Sequence, residues 1–143
     1  MHLFIDADGC PSVRSAVECA RRHGVAATLV CDTAHRFDLA GAEVVYVDRG
    51  PDSADLCLAN RLSPGDVAIT QDYGLAALCL ARGARAVHPS GMEYTSGNID
   101  SLLLARLTAR KLRNAGERLK GPSKRTREQE QALLRKLDEL LSQ

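Results

Sequence analysis

Short apolar runs alternate with amphipathic stretches along the first 90 residues of the chain. The runs are rich in Val, Ile, Leu and Ala and are bounded by Gly, Pro or Asp, which is typical of strands. They cover residues 2–6, 25–31, 43–47, 67–70 and 84–88. The stretches between them favour helices, except residues 32–41, which are polar and typical of a turn. This alternation predicts a three-layer α/β/α sandwich with a mostly parallel central sheet.

The predicted helices begin and end at recognisable residues. Pro11 suits the first turn of helix one, and Gly24 follows its end. Residues 98–143 are expected to be helical, with Asn98 capping a helix whose apolar residues are Ile99, Leu102, Leu103 and Leu107. Thr126 and Gln129 have the spacing of a capping box ahead of the last helix. A chain of 143 residues fits a single domain.

Two aspartates in the segment "FIDADGC" follow the first predicted strand. If the chain stays extended there, Asp6 and Asp8 project to the same side. Asp72 follows the strand "VAIT", and the carboxyl ends of parallel strands share one edge of a sheet. Asp52 is placed to begin a helix that brings Asp55 towards the same edge. These carboxylates predict a Mg²⁺ or Mn²⁺ site, since both ions prefer oxygen ligands.

Ordinary structural roles compete with this hypothesis. Asp52 and Asp72 are both placed to cap a following helix. Asp66 begins its strand and is expected at the opposite edge, as a turn residue. His35 and Cys10 are predicted loop residues near the acidic edge and are secondary candidates.

The cysteines and the hydropathy of the chain indicate its cellular location. The five cysteines form no C-x-x-C pair, and no His or Cys was found at zinc-ligand spacing, so neither disulfides nor a zinc site is expected. No apolar run approaches the roughly 18 residues of a membrane span. The first strand begins at residue 2 or 3, which leaves no room for a signal peptide. We expect a cytoplasmic protein.

Charge is distributed unevenly along the chain. Residues 1–105 carry 8 basic and 13 acidic side chains, whereas residues 106–127 carry 9 basic and 1 acidic. Such a basic stripe suits the binding of a polyanion, although a solvated helix and loop would have the same composition. The candidates for contacts with a nucleic-acid backbone are Arg110, Lys111, Arg113 and Lys120.

Five segments carry a resemblance to a known family: "FIDADGCP", "PDSADLCLAN", "GDVAITQDYGLA", "HPSGMEYTSGNID" and "RKLRNAGERLKGPSKRT". Together they resemble the YaiI/YqxD family, which is grouped with the PIN-like domains, α/β nucleases that cut RNA with clustered acidic residues and divalent metal. The resemblance implies metal-site roles for Asp6, Asp55 and Asp72, and Asp8 belongs to the family's own motif.

Three functions follow as hypotheses. The first is a metal-dependent ribonuclease that uses Asp6, Asp8, Asp55 and Asp72. The second is a phosphatase of the haloacid dehalogenase type, because "FIDADG" also resembles the start of that superfamily; however, the chain has no lysine before Lys111. The third is a noncatalytic RNA-binding or regulatory module with a vestigial metal site. The oligomeric state is left open.

Overall fold

One sheet organises the computed structural model, which describes residues 1–32, 39, 41–48, 53–116 and 126–143. Its described strands are β1 (His2–Asp6), β2 (Ala26–Asp32), β3 (Ala42–Val47), β4 (Val67–Ile69), β5 (Arg85–Val87) and β6 (Glu93–Tyr94). The described helices are α1 (Val13–Arg22), α2 (Ser53–Arg61), α3 (Tyr73–Ala81), α4 (Ile99–Asn114) and α5 (Arg127–Leu141). The strand order is β3-β2-β1-β4-β5-β6, and only the β5–β6 pair is antiparallel.

Helices pack against both faces of the sheet, and the apolar side chains between helices and sheet form two separate cores. In β1, Leu3 and Ile5 pack into a core formed with α1 and α5, whereas Phe4 packs into a core formed with α2, α3 and α4. Successive strand residues point to opposite faces, so a strand covered on both sides is apolar throughout. The predicted three-layer α/β fold with a mostly parallel sheet is confirmed.

The strand order reverses direction at β1. The chain passes from β1 to β2 on one side of it, and later returns to place β4 on its other side, with Ile5 beside Ile69. In open α/β sheets, ligands bind at the carboxyl ends of the strands that flank such a switch point. Asp6 ends β1, and Thr70 follows β4, so these two residues lie at the switch point.

The chain after β1 is not extended. Ala7–Gly9 form a 3-10 turn, in which the Cys10 N–H donates to the Ala7 carbonyl at 3.3 Å. Asp6 and Asp8 were expected to project to the same side only if the chain stayed extended, and this condition is not met.

Four further details of the helices and strands differ from expectation. Helix α1 begins at Val13 rather than at Pro11, and β6 was not predicted. Asn98 precedes α4 without a side-chain cap, because its Oδ1 accepts from the Thr95 N–H (2.9 Å) and its Nδ2 donates to the Glu93 carbonyl (2.9 Å). Leu107 is 46% exposed, since only the first turns of α4 pack against the body.

The capping box of the last helix is present as predicted. The Thr126 hydroxyl accepts from the Gln129 N–H at 3.2 Å, and the Gln129 side chain accepts from the Thr126 N–H at 3.1 Å. These two bonds satisfy amide groups that the first turn of a helix otherwise leaves unpaired. Helix α5 then buries Leu133, Leu137, Leu140 and Leu141.

Glu93 connects the edge of the sheet to α5. Its Oε2 accepts from the Arg85 Nε at 2.7 Å, and its Oε1 lies 3.7 Å from the Lys136 Nζ. The Arg85 hydrogen bond is the main cause that lowers the pKa of Glu93, and it outweighs the opposing effect of burial. The folded protein therefore favours the charged form of Glu93.

We expect Glu93→Gln to lower the free energy of unfolding by about 1 kcal/mol at neutral pH. A lowered folded-state pKa contributes stability above the ordinary pKa of 4.5, and this contribution is lost as the pH falls through the folded-state value. Urea unfolding at about pH 7 and about pH 3 measures the difference. An equal deficit at both pH values would contradict an electrostatic origin. The exposed neighbour variant Glu139→Gln is the control and should change little.

Candidate functional site at the carboxyl edge of the sheet

Thr70 links two of the predicted aspartates at the switch point. Its hydroxyl donates to the Asp6 Oδ2 at 2.9 Å, and it accepts from the Asp72 N–H, also at 2.9 Å. The side chain is fully buried. One hydroxyl group therefore connects the end of β1 to the residue that precedes α3.

The backbone N–H and carbonyl of Thr70 also form hydrogen bonds. Its N–H donates to the Val87 carbonyl at 3.0 Å, and its carbonyl accepts from the Tyr94 hydroxyl at 3.0 Å. Tyr94 is itself fully buried, and burial is the main cause that raises its pKa, so its phenol remains a donor at neutral pH. Both polar backbone groups of Thr70 are thus satisfied, which gives the Asp6–Thr70–Asp72 chain a rigid support.

Asp72 has two roles in the structure. Its Oδ1 accepts from the Leu75 N–H at 3.1 Å, so it caps α3 as the competing hypothesis predicted. The same oxygen lies 3.4 Å from the Arg106 Nη1 on α4. Gly74 keeps space for this carboxylate, because a Cβ at position 74 would lie 3.2 Å from Oδ1. Capping thus holds the carboxylate in place beside an arginine.

The charged form of Asp6 carries an electrostatic cost in the folded protein. Burial is the main cause that raises the pKa of its carboxyl group; the charges of Asp8 and Asp72 raise it further, and the Thr70 hydrogen bond opposes them. Carboxylates in this situation are relieved by protonation or by a nearby cation. Either change would relieve the cost of charging Asp6.

Asp8 and Asp55 approach the same edge from different sides. The Asp8 Oδ2 accepts from the Asp32 N–H at 3.0 Å, which holds it at the end of β2. Asp55, in the first turn of α2, lines a cleft of about 370 Å³ together with Asp72 and Arg106. The structure thus joins Asp6 to Asp72 through Thr70, and Asp55 to Asp72 across the cleft.

The donor set fits a weakly coordinated hard cation. Among the residues that the structure describes, the four aspartates do not place three carboxylate oxygens within 4.8 Å of one another. Mg²⁺ is commonly bound by one or two carboxylates, with water and substrate phosphate completing its shell. All-oxygen donors, of which one is destabilised in its charged form, suit Mg²⁺ or Mn²⁺ rather than a softer metal.

Helix α4 extends the site with basic residues. Arg106, Arg110 and Arg113 have i, i+4, i+7 spacing and therefore lie on one face of the helix. Arg106 shows the direction of this face, since it contacts Asp72. Lys111 lies about 100° around the axis from Arg110 and is thus separated from the others. All four basic side chains are exposed.

The remaining candidates divide into three groups. His35, Asp52 and Lys120 lie outside the described residues. Cys10 is 7% exposed and belongs to the core beside α1. Asp66 is a turn residue at the opposite edge, as predicted: its carboxylate accepts from the His2 N–H at 3.0 Å and the Ser63 N–H at 2.9 Å.

Sequence reasoning missed the groups that support the site. Arg106 belonged to the basic segment but was not singled out, and Thr70 was taken only as a strand residue. A threonine two positions before an aspartate at a strand exit was the available signal for Thr70. Nothing local indicated Tyr94, because its role depends on β6 lying beside β5.

Fold and site together define a three-layer α/β protein with acidic residues at its switch point and an arginine face beside them. The family model described as "Uncharacterized BCR, YaiI/YqxD family" matches residues 4–143. The chain belongs to this family, as the resemblance implied. None of the described helices is both long and apolar enough to cross a membrane.

Curated relatives share nearly the whole length of the chain. A "UPF0178 protein" from Exiguobacterium sibiricum is 45% identical over 143 residues, which covers 100% of this chain and 98% of the relative. Proteins of the same name from Clostridium acetobutylicum (40% identical; 92% and 90% covered) and Clostridium tetani (38% identical; 96% and 94% covered) are also similar. No solved structure matches significantly.

Proposed function

We propose that this protein is a divalent-metal-dependent nuclease that hydrolyses phosphodiester bonds in RNA. The observation that carries the proposal is the Asp6–Thr70–Asp72 chain at the switch point, with Arg106 3.4 Å from Asp72. A carboxylate pair at the place where α/β sheets bind ligands, next to a guanidinium group that suits phosphate, is an arrangement for phosphoryl chemistry.

Each residue has a distinct part in the proposed reaction. Asp6 and Asp72 would hold Mg²⁺ or Mn²⁺, and Asp8 and Asp55 would complete its shell or orient water. When bound, the metal supplies an activated water and stabilises charge on the phosphate. Thr70 keeps the two carboxylates in a fixed relation. Arg106 would exchange its contact with Asp72 for one with the substrate phosphate.

The arginine face of α4 supports a polymeric substrate. From Arg106 to Arg113 the helix rises about 10 Å, so cationic side chains continue away from the cleft along one line. Contacts of this kind to phosphates carry no sequence information. Aromatic residues make up only 3% of the chain, which argues against a base-stacking surface. We therefore propose RNA as the substrate, cut with weak sequence preference in the cytoplasm.

Cleavage of labelled RNA tests the proposal. Purified protein is incubated with a 5′-labelled single-stranded RNA in Mn²⁺ or in EDTA, beside an Asp6→Asn variant purified in the same way. Metal-dependent cleavage by the wild type alone supports the nuclease. Equal cleavage in both samples identifies a contaminating ribonuclease, and RNA binding without cleavage favours the noncatalytic module. Either result overturns the proposal.

Substitutions on α4 test which of its faces binds RNA. We expect Arg110→Gln and Arg113→Gln each to weaken RNA binding about 3- to 10-fold and to reduce the slope of log K against log salt by about 0.7. Lys111→Gln is the matched control, since it removes the same charge from the other side of the helix. Fluorescence anisotropy at several salt concentrations measures the effect. Equal losses in all three variants would contradict a role for the arginine face.

A further inference from the structure

A second group of metal-ligating side chains lies between α1 and α5. The Cys19 Sγ donates to the Asp138 Oδ1 at 3.3 Å, and the His23 Nε2 lies 2.9 Å from the same oxygen. Among the described residues, this is the set in which three His, Cys or carboxylate ligand atoms all lie within 4.8 Å of one another. We propose that Cys19, His23 and Asp138 bind a zinc ion that fastens α5 to α1.

Two of the three separations between the ligand atoms are close to those of a zinc site, and the third is within 4.8 Å. Bonds of about 2.0–2.3 Å in a tetrahedral arrangement place ligand atoms about 3.3–3.7 Å apart. The two separations of 2.9 and 3.3 Å need to open by only a few tenths of an ångström. Side-chain rotation at Asp138, which is 51% exposed, is enough to provide this change.

The ligand atoms of Cys19, His23 and Asp138 suit a softer metal than the carboxylates of the aspartate edge do. Thiolate, imidazole and one carboxylate are zinc ligands, whereas Mg²⁺ and Mn²⁺ favour oxygen donors alone. Zinc would replace the proton that Cys19 donates to Asp138 and bind the neutral imidazole nitrogen of His23. The thiol proton, and any second proton on the imidazole, would pass to solvent.

The fold holds two of the ligands rigidly and leaves a way in for the ion. Cys19 lies in the last turn of α1, and His23, four residues later, follows the end of the helix, where its N–H donates to the Cys19 carbonyl at 3.2 Å. Asp138 is brought to them by the leucines that dock α5. Cys19 is fully buried, while the His23 side chain is 24% exposed, so a fourth position faces solvent. Arg22, an exposed residue, hydrogen-bonds to Cys19 and lies near Asp138, so zinc binding would replace this contact.

This site is separate from the aspartate edge. Helix α1 follows β1 and returns along the sheet, so His23, the residue after its C-terminal end, lies at the amino edge of the strands, opposite Asp6 and Asp72. The expectation of no zinc-ligand spacing overlooked the four-residue interval between Cys19 and His23. The third ligand is 119 positions from Cys19, and only the docking of α5 reveals it.

Cobalt spectroscopy tests the proposal, because Co²⁺ occupies zinc sites and a thiolate ligand gives it a charge-transfer band in the near ultraviolet. We expect this band when Co²⁺ is added to the wild type and its displacement by Zn²⁺. Cys19→Ala should abolish the band, and His23→Gln should weaken Co²⁺ binding at least 10-fold. Cys57→Ala is the control, since Cys57 is the least buried thiol and lies on α2.

Three outcomes would overturn the zinc site. These are the absence of a band in the wild type, its persistence in Cys19→Ala, and its equal loss in Cys57→Ala. Because Cys19 is a core residue, His23→Gln and Asp138→Asn provide a second measurement at partly exposed positions. Zn²⁺ should raise the Tm of the wild type but of neither variant. An equal rise in all three proteins would also overturn the site.

Discussion

Replacing Asp72 by Asn is expected to lower the rate of RNA cleavage at least about 100-fold while leaving the fold intact. Asp72 caps α3 through its bond with the Leu75 N–H and also lies beside Arg106. Asn caps helices about as well as Asp, so the substitution removes the charge and keeps the cap. Cleavage kinetics in Mn²⁺, with thermal unfolding of the same samples, measure the two effects separately.

The alanine variant completes this test. Asp72→Ala removes the cap as well as the charge, so it should show the same loss of cleavage with a further loss of about 1 kcal/mol in the free energy of unfolding. If Asp72→Asn instead cleaves RNA at the wild-type rate, Asp72 is only a helix cap. The proposed metal site would then lose one of the two carboxylates that line the cleft.

Asp6→Asn is expected to change stability in opposite directions with and without metal. In EDTA the variant should be more stable than the wild type by about 1 kcal/mol, because the amide removes a charge that burial and two neighbouring carboxylates disfavour. The amide oxygen still accepts from the Thr70 hydroxyl. At about 100 times its Kd, Mn²⁺ should stabilise the wild type by about 2.7 kcal/mol and leave the variant unchanged.

The stability difference between Asp6→Asn and the wild type should depend on pH, whereas a difference caused by packing alone would not. A folded-state pKa raised above the ordinary 3.8 means that Asp6 costs no stability below that value and destabilises the fold as the pH rises through the folded-state pKa. The advantage of Asp6→Asn in EDTA should therefore disappear at about pH 3. Asp100→Asn, at an exposed position on α4, is the control and should show neither effect. An advantage that persists in acid would contradict the electrostatic explanation.

Much of the acidic edge could be predicted from strand ends alone. Parallel strands place their carboxyl ends together, so residues after "LFI" and "VAIT" were expected to meet, and Asp6 and Asp72 are indeed joined through Thr70. The same argument does not determine local turns. The 3-10 turn at Ala7–Gly9 sends Asp8 towards Asp32, away from the direction of an extended chain.

Contacts between distant segments account for the rest of what sequence reasoning missed. Tyr94 reaches Thr70 only because a strand of two residues pairs with β5, and so short a strand has no periodicity to detect. Arg106 could be placed on a helix, but its contact with Asp72 depends on how α4 packs against α3. Cys19 and Asp138 belong to opposite ends of the chain, and only tertiary packing brings them together.

The Mn²⁺ dependence of RNA cleavage tests the central claim most directly. The rate is measured for wild-type protein and for Asp6→Asn across a Mn²⁺ titration, on the same labelled single-stranded RNA. We predict that the wild-type rate rises from the EDTA background and saturates over the Mn²⁺ range that also raises its Tm, while Asp6→Asn stays at background throughout. A wild-type rate that never exceeds the rate of Asp6→Asn, at any Mn²⁺ concentration, would contradict the claim.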